Sequence, residues 1–251
     1  MFDGRHALIT GGGSGIGAAT ARALAGHGAK LSLLGRRADH LDAIASETGG
    51  HGFPCDVTDR AAVEAAFIAA RAANGPIHFL IVNAGIGDSA PFDRTQREAW
   101  DRIIAVNLTA AFDCAQFGLA DLLAGQDTRL IFIASVAGLR GAAFAAPYAA
   151  SKHGVVGLSG SLAKEFAKSS MTVNAVCPGF TDTAIVDQSA ARISTVSKRS
   201  ETEAREALAA FSPQGRIIDP NEVAAAICAL CTPASRSING IALPIDGGAT
   251  A

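Results

Sequence analysis

Aromatic side chains are scarce in these 251 residues, at 6%, with one tryptophan and one tyrosine. A base-stacking surface for single-stranded nucleic acid has little to be built from. Charge of one sign is also lacking: 21 Lys and Arg against 23 Asp and Glu give a net charge of −2. That balance offers no electrostatic case for nucleic acid or an anionic membrane as a partner. No apolar run approaches the ~20 residues that a spanning helix needs. The N-terminus, Met1-Phe2-Asp3-Gly4-Arg5, has no signal-peptide layout, so the expected compartment is the cytoplasm. Cysteines number five, an odd and scattered set, which disfavours a disulfide framework. Cys228 and Cys231 form a C-x-x-C, but they lie in an alanine-rich helical stretch with no second Cys or His pair nearby. They read as small buried hydrophobes, and no residue pattern calls for a metal.

What is present is a steady alternation of strand-like and helix-like segments. His6 to Ile9, Leu31 to Leu34, Gly52 to Cys55, Phe79 to Val82, Leu130 to Ala134, Thr172 to Cys177 and Ile241 to Ile245 are short apolar runs that predict strands. Between them fall helical stretches: Ala18 to Leu24, Ala38 to Glu47, Asp59 to Asn74, Gln96 to about Ala124, Tyr148 to Lys168 and Asn221 to Leu230. Near-continuous apolar strands alternating with helices predict an α/β fold. The architecture is a doubly wound, Rossmann-like parallel sheet in three layers. No linker-like stretch divides it, so one domain is expected. Ile185 to Phe211 breaks the rhythm with a mixture of Ser, Thr, Lys, Arg and Ala. It reads either as a substrate lid at 185–211 or as a plain surface helix pair.

Two motifs carry chemistry. Thr10-Gly11-Gly12-Gly13-Ser14-Gly15-Ile16-Gly17 sits between the first strand and the first helix. Glycines allow a tight turn and close approach to a pyrophosphate, and the helix start offers free amides to it. The other motif is Tyr148-Ala149-Ala150-Ser151-Lys152. On a helix, residues four apart share a face. An ammonium beside the phenol lowers its pKa from about 10 and tunes it as a general acid or base. The singled-out residues Arg36, Asp56, Asn83, Ser135 and Pro178-Gly179 also follow predicted strands. That is where doubly wound folds bind ligands.

Together these motifs resemble the short-chain dehydrogenase/reductase family. The resemblance runs from Thr10 to Gly248, and the length fits the short reductase branch better than the longer sugar-epimerase branch. It implies an NAD(P)(H)-dependent oxidoreductase that interconverts a ketone and a secondary alcohol. Asn107, Ser135, Tyr148 and Lys152 would form the catalytic tetrad. Tyr148 would exchange the proton, Ser135 would bond the substrate oxygen, and Asn107 would hold a relay water. The cofactor would be held by Gly11, Ser14, Gly15, Ile16, Gly17, Arg36, Asp56 with Val57, Asn83-Ala84-Gly85, Tyr148, Lys152, Pro178, Gly179, Thr181 and Thr183. Gly35 stands where an acidic residue would bond the NAD ribose, and Arg36 could pair with a 2′-phosphate. NADP(H) is therefore favoured, with NAD(H) open. Small apolar residues after Ser135 favour an aryl or alicyclic ketone. Arg140, Lys198 and Arg199 leave 3-oxoacyl thioesters as the alternative. A non-catalytic NADP(H)-binding sensor is the reading of another class. The resemblance also implies a homotetramer.

Overall fold

The computed structural model describes residues 1–251, the side chain of Val196 excepted. Seven strands form one sheet: β1 His6–Thr10, β2 Lys30–Gly35, β3 His51–Pro54, β4 Phe79–Val82, β5 Arg129–Ile133, β6 Thr172–Pro178 and β7 Ala242–Ile245. Their order is β3-β2-β1-β4-β5-β6-β7, and every pairing is parallel. β1, β4, β5 and β6 are buried along their whole length, as apolar runs covered on both faces must be.

Nine α-helices cover the sheet: α1 Gly15–Gly26, α2 Ala38–Thr48, α3 Arg60–Asn74, α4 Arg97–Ile104, α5 Ala110–Ala124, α6 Ala146–Glu165, α7 Ala184–Ser197, α8 Glu201–Ala209 and α9 Pro220–Cys231. Two apolar cores result. On one face Leu24, Leu41, Ile44, Val223 and Ile227 pack against Ile9, Leu33 and Ile81. On the other, Phe67, Ala111, Cys114 and Val155 pack against Leu8, Leu80, Leu130 and Phe132. Each fully buried Leu, Ile or Phe contributes about 1.5–3 kcal/mol by leaving water. The order reverses between β1 and β4, and that switch point opens a crevice beyond the strand ends.

Two sequence expectations change. The stretch Gln96 to Ala124 is not one regular helix: a π-helical turn at Ala105–Thr109, containing Asn107, separates α4 from α5. Taken as a continuous 28-residue span, Arg97–Ala124 has a mean hydropathy of 1.5 in its most apolar window. It is therefore long and apolar enough to cross a membrane, against the expectation of no such run. In this fold Ile103, Ala110, Ala111, Cys114 and Leu122 instead bury its inner side. At 185–211 the chain forms a helical pair, α7 and α8, as one of the two sequence readings had it, and Ser200 and Glu203 form a reciprocal capping box that starts the second helix.

Candidate active site

The glycine turn between β1 and α1 is held open by its backbone. Gly11 and Gly15 have φ of 67° and 52°, the region glycine occupies without strain. At Gly17 a Cβ would lie 2.2 Å from the Gly11 carbonyl oxygen and 2.7 Å from Asn83 Nδ2, so no side chain fits. Ser14 caps α1 with no side-chain bond, and no acidic residue stands in its first turn. An uncapped helix start, facing glycines and free of carboxylates, suits the pyrophosphate of a dinucleotide. Ile16 follows on the first turn and packs against the core.

Asn83 does not face outward. Its side chain donates to the carbonyls of Thr10 at 2.9 Å and Gly11 at 3.3 Å. In return the amides of Asn83 and Ala84 donate to the Thr10 hydroxyl at 2.9 and 3.0 Å. Asn83-Ala84-Gly85 thus ties the end of β4 to the glycine turn. Thr10 is the other half of this tie; the sequence placed it at the start of the glycine motif without showing what its hydroxyl does.

Past β2, Arg36 and Arg37 are exposed. Arg37 donates to Ser14 Oγ at 3.3 Å, which brings a second guanidinium to the edge of the glycine turn. Arg37 was absent from the expected cofactor set; only folding shows that it, and not Arg36, reaches Ser14. After β3, Asp56 Oδ1 accepts from the amide and hydroxyl of Thr58 at 2.9 and 2.7 Å. These bonds, aided by Arg36, hold its carboxyl below the usual range. Val57 beside it is buried.

The four expected catalytic residues converge. Asn107 lies in the π-turn and is 2% exposed. Its Oδ1 accepts from Ile86 N at 2.8 Å; its Nδ2 donates to Ile86 O at 2.9 Å and Ser151 Oγ at 3.1 Å. Ser135, beyond β5, accepts from Ala137 N at 3.1 Å and so caps a short 3-10 turn. Pro147 opens α6, which carries Tyr148 and Lys152. The Lys152 ammonium is 5.7 Å from the centre of the Tyr148 ring and donates to Ile133 O at 2.8 Å. A Cβ on Gly85 would come within 3.6 Å of it. The tetrad and the loop after β4 therefore share one wall of the crevice.

The electrostatics depart from the sequence expectation. Burial pushes the Tyr148 hydroxyl up, and the Ser135 hydroxyl only partly opposes it. Burial also lowers Lys152 to about 8. Burial is the larger influence on both groups, so the net direction at Tyr148 is upward, against the expected lowering.

After β6, the Thr181 hydroxyl donates to Gly179 O, and the Thr183 hydroxyl to Thr181 O, each at 3.1 Å. Thr183 caps α7, and its Cγ2 would be 2.9 Å from a Cβ on Gly15. Pro178-Gly179 and the turn at Gly15 thus border the same crevice. Arg140, a candidate for a coenzyme phosphate, bonds the carbonyls of Ala249, Thr250 and Ala251 instead. The five cysteines are free and buried, and no group of metal-ligating side chains is found among the described residues.

Comparison with known proteins bears on this arrangement. A family model described as short chain dehydrogenase matches residues 5–194. The 3-oxoacyl-[acyl-carrier-protein] reductase MabA of Mycobacterium tuberculosis is 36% identical over 247 residues, covering 98% of this chain and 93% of its own. A cis-4-hydroxycyclohexanecarboxylate dehydrogenase of Sinomonas cyclohexanicum is 36% identical over 256 residues, covering 100% and 98%. Among solved structures, a variant of actinorhodin polyketide ketoreductase with NADPH superposes with a TM-score of 0.93 at 34% identity, covering 98% and 97%. With its glycine turn and convergent tetrad, the chain belongs to the short-chain dehydrogenase/reductase family and is an NAD(P)(H)-dependent oxidoreductase interconverting ketones and secondary alcohols.

Proposed function

We propose that this enzyme is an NADP(H)-preferring ketoreductase for hydrophobic aryl or alicyclic ketones, with Tyr148 as its general acid/base. The observation that carries the reading is the convergence of Tyr148, Lys152, Ser135 and Asn107 on one wall of the crevice beside the glycine turn. When bound, the nicotinamide supplies or accepts the hydride. Tyr148, kept neutral by burial, donates its proton to the developing alkoxide in reduction and takes it back in oxidation. Ser135 donates a hydrogen bond to the substrate oxygen. Lys152, charged below its pKa of about 8, stabilises the phenolate left behind. The side chain of Asn107 is engaged with Ile86 and Ser151, so a relay water beside Lys152 would be held through the main chain of the π-turn rather than by this amide.

Arg36, Arg37 and Ser14, with no carboxylate at Gly35, support NADP(H). Gly11, Gly15, Ile16, Gly17, Asn83-Ala84-Gly85, Asp56-Val57, Pro178-Gly179, Thr181 and Thr183 complete the cofactor border. Leu139, Ala142, Ala143 and Phe144, which follow Ser135, and Ile185, which meets Gly87, are the apolar residues offered to the substrate side, and they suit an apolar ketone. Because Arg140 is engaged with the C-terminal carbonyls, it supports a coenzyme thioester less than the sequence suggested. The chain works as one domain, with α7 and α8 as a substrate lid over 185–211. Exposed Trp100, Phe112 and Leu123, and open Gly157 and Gly160 on α6, support a homotetramer joined through these helices; light scattering at monomer mass would refute it. Free cysteines support a cytoplasmic setting.

The test follows nicotinamide absorbance with NADPH and a panel of aryl ketones, alicyclic ketones and 3-oxoacyl thioesters, with Tyr148→Phe as the blank. Turnover on ketones that disappears in Tyr148→Phe is the expected result. Higher kcat/KM on thioesters would overturn the substrate class. NADPH binding with turnover unchanged in Tyr148→Phe would support the sensor reading.

A further inference from the structure

The helical pair α7 and α8 has a core of its own. Val186 and Ala190 pack on Ala204 and Leu208, with Ile193 and Ile217, apart from the two cores of the sheet. A self-packed pair of helices is a cooperative unit that can shift as one body. Its two connections to the sheet meet at a single bridge between Thr181 and Ile218, and Gly215 beside it has φ of 66°. Arg205 binds Asp182 at 2.5 Å and also reaches Asp187, so it braces the unit against its own connection and not against the opposite wall.

The contact with the opposite wall is ionic. The loop after β4, which Asn107 holds at Ile86, presents Asp88 two residues later. Arg192 of α7 lies 2.5 Å from Asp88 Oδ1 and also donates to the Ser89 carbonyl. Arg102 of α4 lies 3.3 Å from Asp88 Oδ2, and Ser89 N donates to Oδ1 at 2.8 Å. The Asp88 side chain is only 23% exposed. One half-buried carboxylate is thus fixed from its own loop and from α4, and it receives the lid helix from across the cleft. Next to it Ile185 closes on Gly87, where a Cβ would come within 2.8 Å.

We propose that Asp88 and Arg192 form an ionic latch that positions the α7–α8 unit over the substrate cleft, with Arg102 fixing the Asp88 side. These are positioning residues. Their structural effect is independent of the proposed reaction; their kinetic effect rests on it. Holding the lid closed lowers the KM for a ketone, and releasing it leaves the chemistry of the tetrad intact.

Hydrogen exchange by mass spectrometry on the whole protein tests the latch directly. In Arg192→Ala and in Asp88→Asn, peptides within 184–209 exchange roughly threefold to tenfold faster, while peptides of β4 to β6 do not change. Arg192→Lys, which keeps the charge, recovers part of the protection. Arg97→Ala, which breaks the exposed pair with Asp101 on α4, leaves 184–209 unchanged. The double variant exchanges no faster than either single one, because both remove the same contact. Ketone KM rises by the same factor in the single variants while kcat holds or increases. Unchanged exchange in both single variants, or effects that multiply in the double, would overturn the latch. Faster exchange with no ketone turned over by the unaltered enzyme supports the latch and refutes the proposed substrate class instead.

Discussion

Lys152 should cost the empty enzyme stability, and replacing it by methionine should recover that cost. The side chain is 4% exposed, its ammonium donates to Ile133 O at 2.8 Å, and burial holds its pKa at about 8. In the unfolded chain the value returns to about 10.4. Between these pH values the unfolded state binds more protons than the folded state, so stability rises with pH. Below about pH 8 the penalty is fully present, and it amounts to about 3 kcal/mol. Lys152→Met keeps most of the stem volume and removes the charge, but it forfeits the bond to Ile133, worth about 1 kcal/mol. The balance is a gain of about 2 kcal/mol near pH 7, shrinking to nothing by about pH 10. Guanidinium unfolding followed by circular dichroism, without dinucleotide, at about pH 7 and about pH 9.5, measures both ends. A variant no more stable than the parent at the lower pH would refute the reasoning. So would the same difference at both pH values. Turnover in Lys152→Met should fall by about a hundredfold or more, since the ammonium that supports Tyr148 is gone.

Gly17→Ala would force a Cβ against the Gly11 carbonyl and Asn83, both fixed by the tie to β4; a fluorescence titration should show dinucleotide affinity at least about tenfold weaker, with stability lowered by about 1–3 kcal/mol. Arg37→Ala should weaken NADPH more than NADH, narrowing the ratio of their dissociation constants by about tenfold, and Arg36→Ala should add to it. His6 is fully buried, bonding Gly75 O and Ser32 Oγ at 2.8 Å each, and burial holds its pKa below the usual histidine value. As pH falls below about 6.5 the unfolded chain takes up a proton that the folded chain refuses, so stability drops. Thermal melts of His6→Gln should show a flatter acid limb than the parent, and an identical limb would refute the assignment.

Much of the site was legible along the chain because strand ends are local events. Gly11 to Gly17, Arg36, Asp56, Asn83, Ser135 and Pro178-Gly179 each follow an apolar run, and all of them lie at the same end of one parallel sheet. The Tyr148–Lys152 spacing predicts a shared helix face, and α6 provides it. Other features depend on long-range neighbours. Asp88, Arg102 and Arg192 carry no motif, and their convergence needs three separate segments to be folded. Asn107 sits in a π-turn whose extra residue leaves no signature in hydrophobic spacing.

The sequence by itself determined the fold class and the family and singled out the side chains proposed to react, because periodicity, glycine placement and residue type are properties of the chain alone. Tertiary structure decided the electrostatics and the allegiances of the polar groups. Burial is the larger influence on the Tyr148 pKa, and the Ser135 hydroxyl opposes it only in part. Arg140 satisfies C-terminal carbonyls, Asn83 buttresses the glycine turn and Arg37 reaches Ser14. Each of these depends on which distant backbone a flexible side chain meets, and that is fixed only when the layers pack.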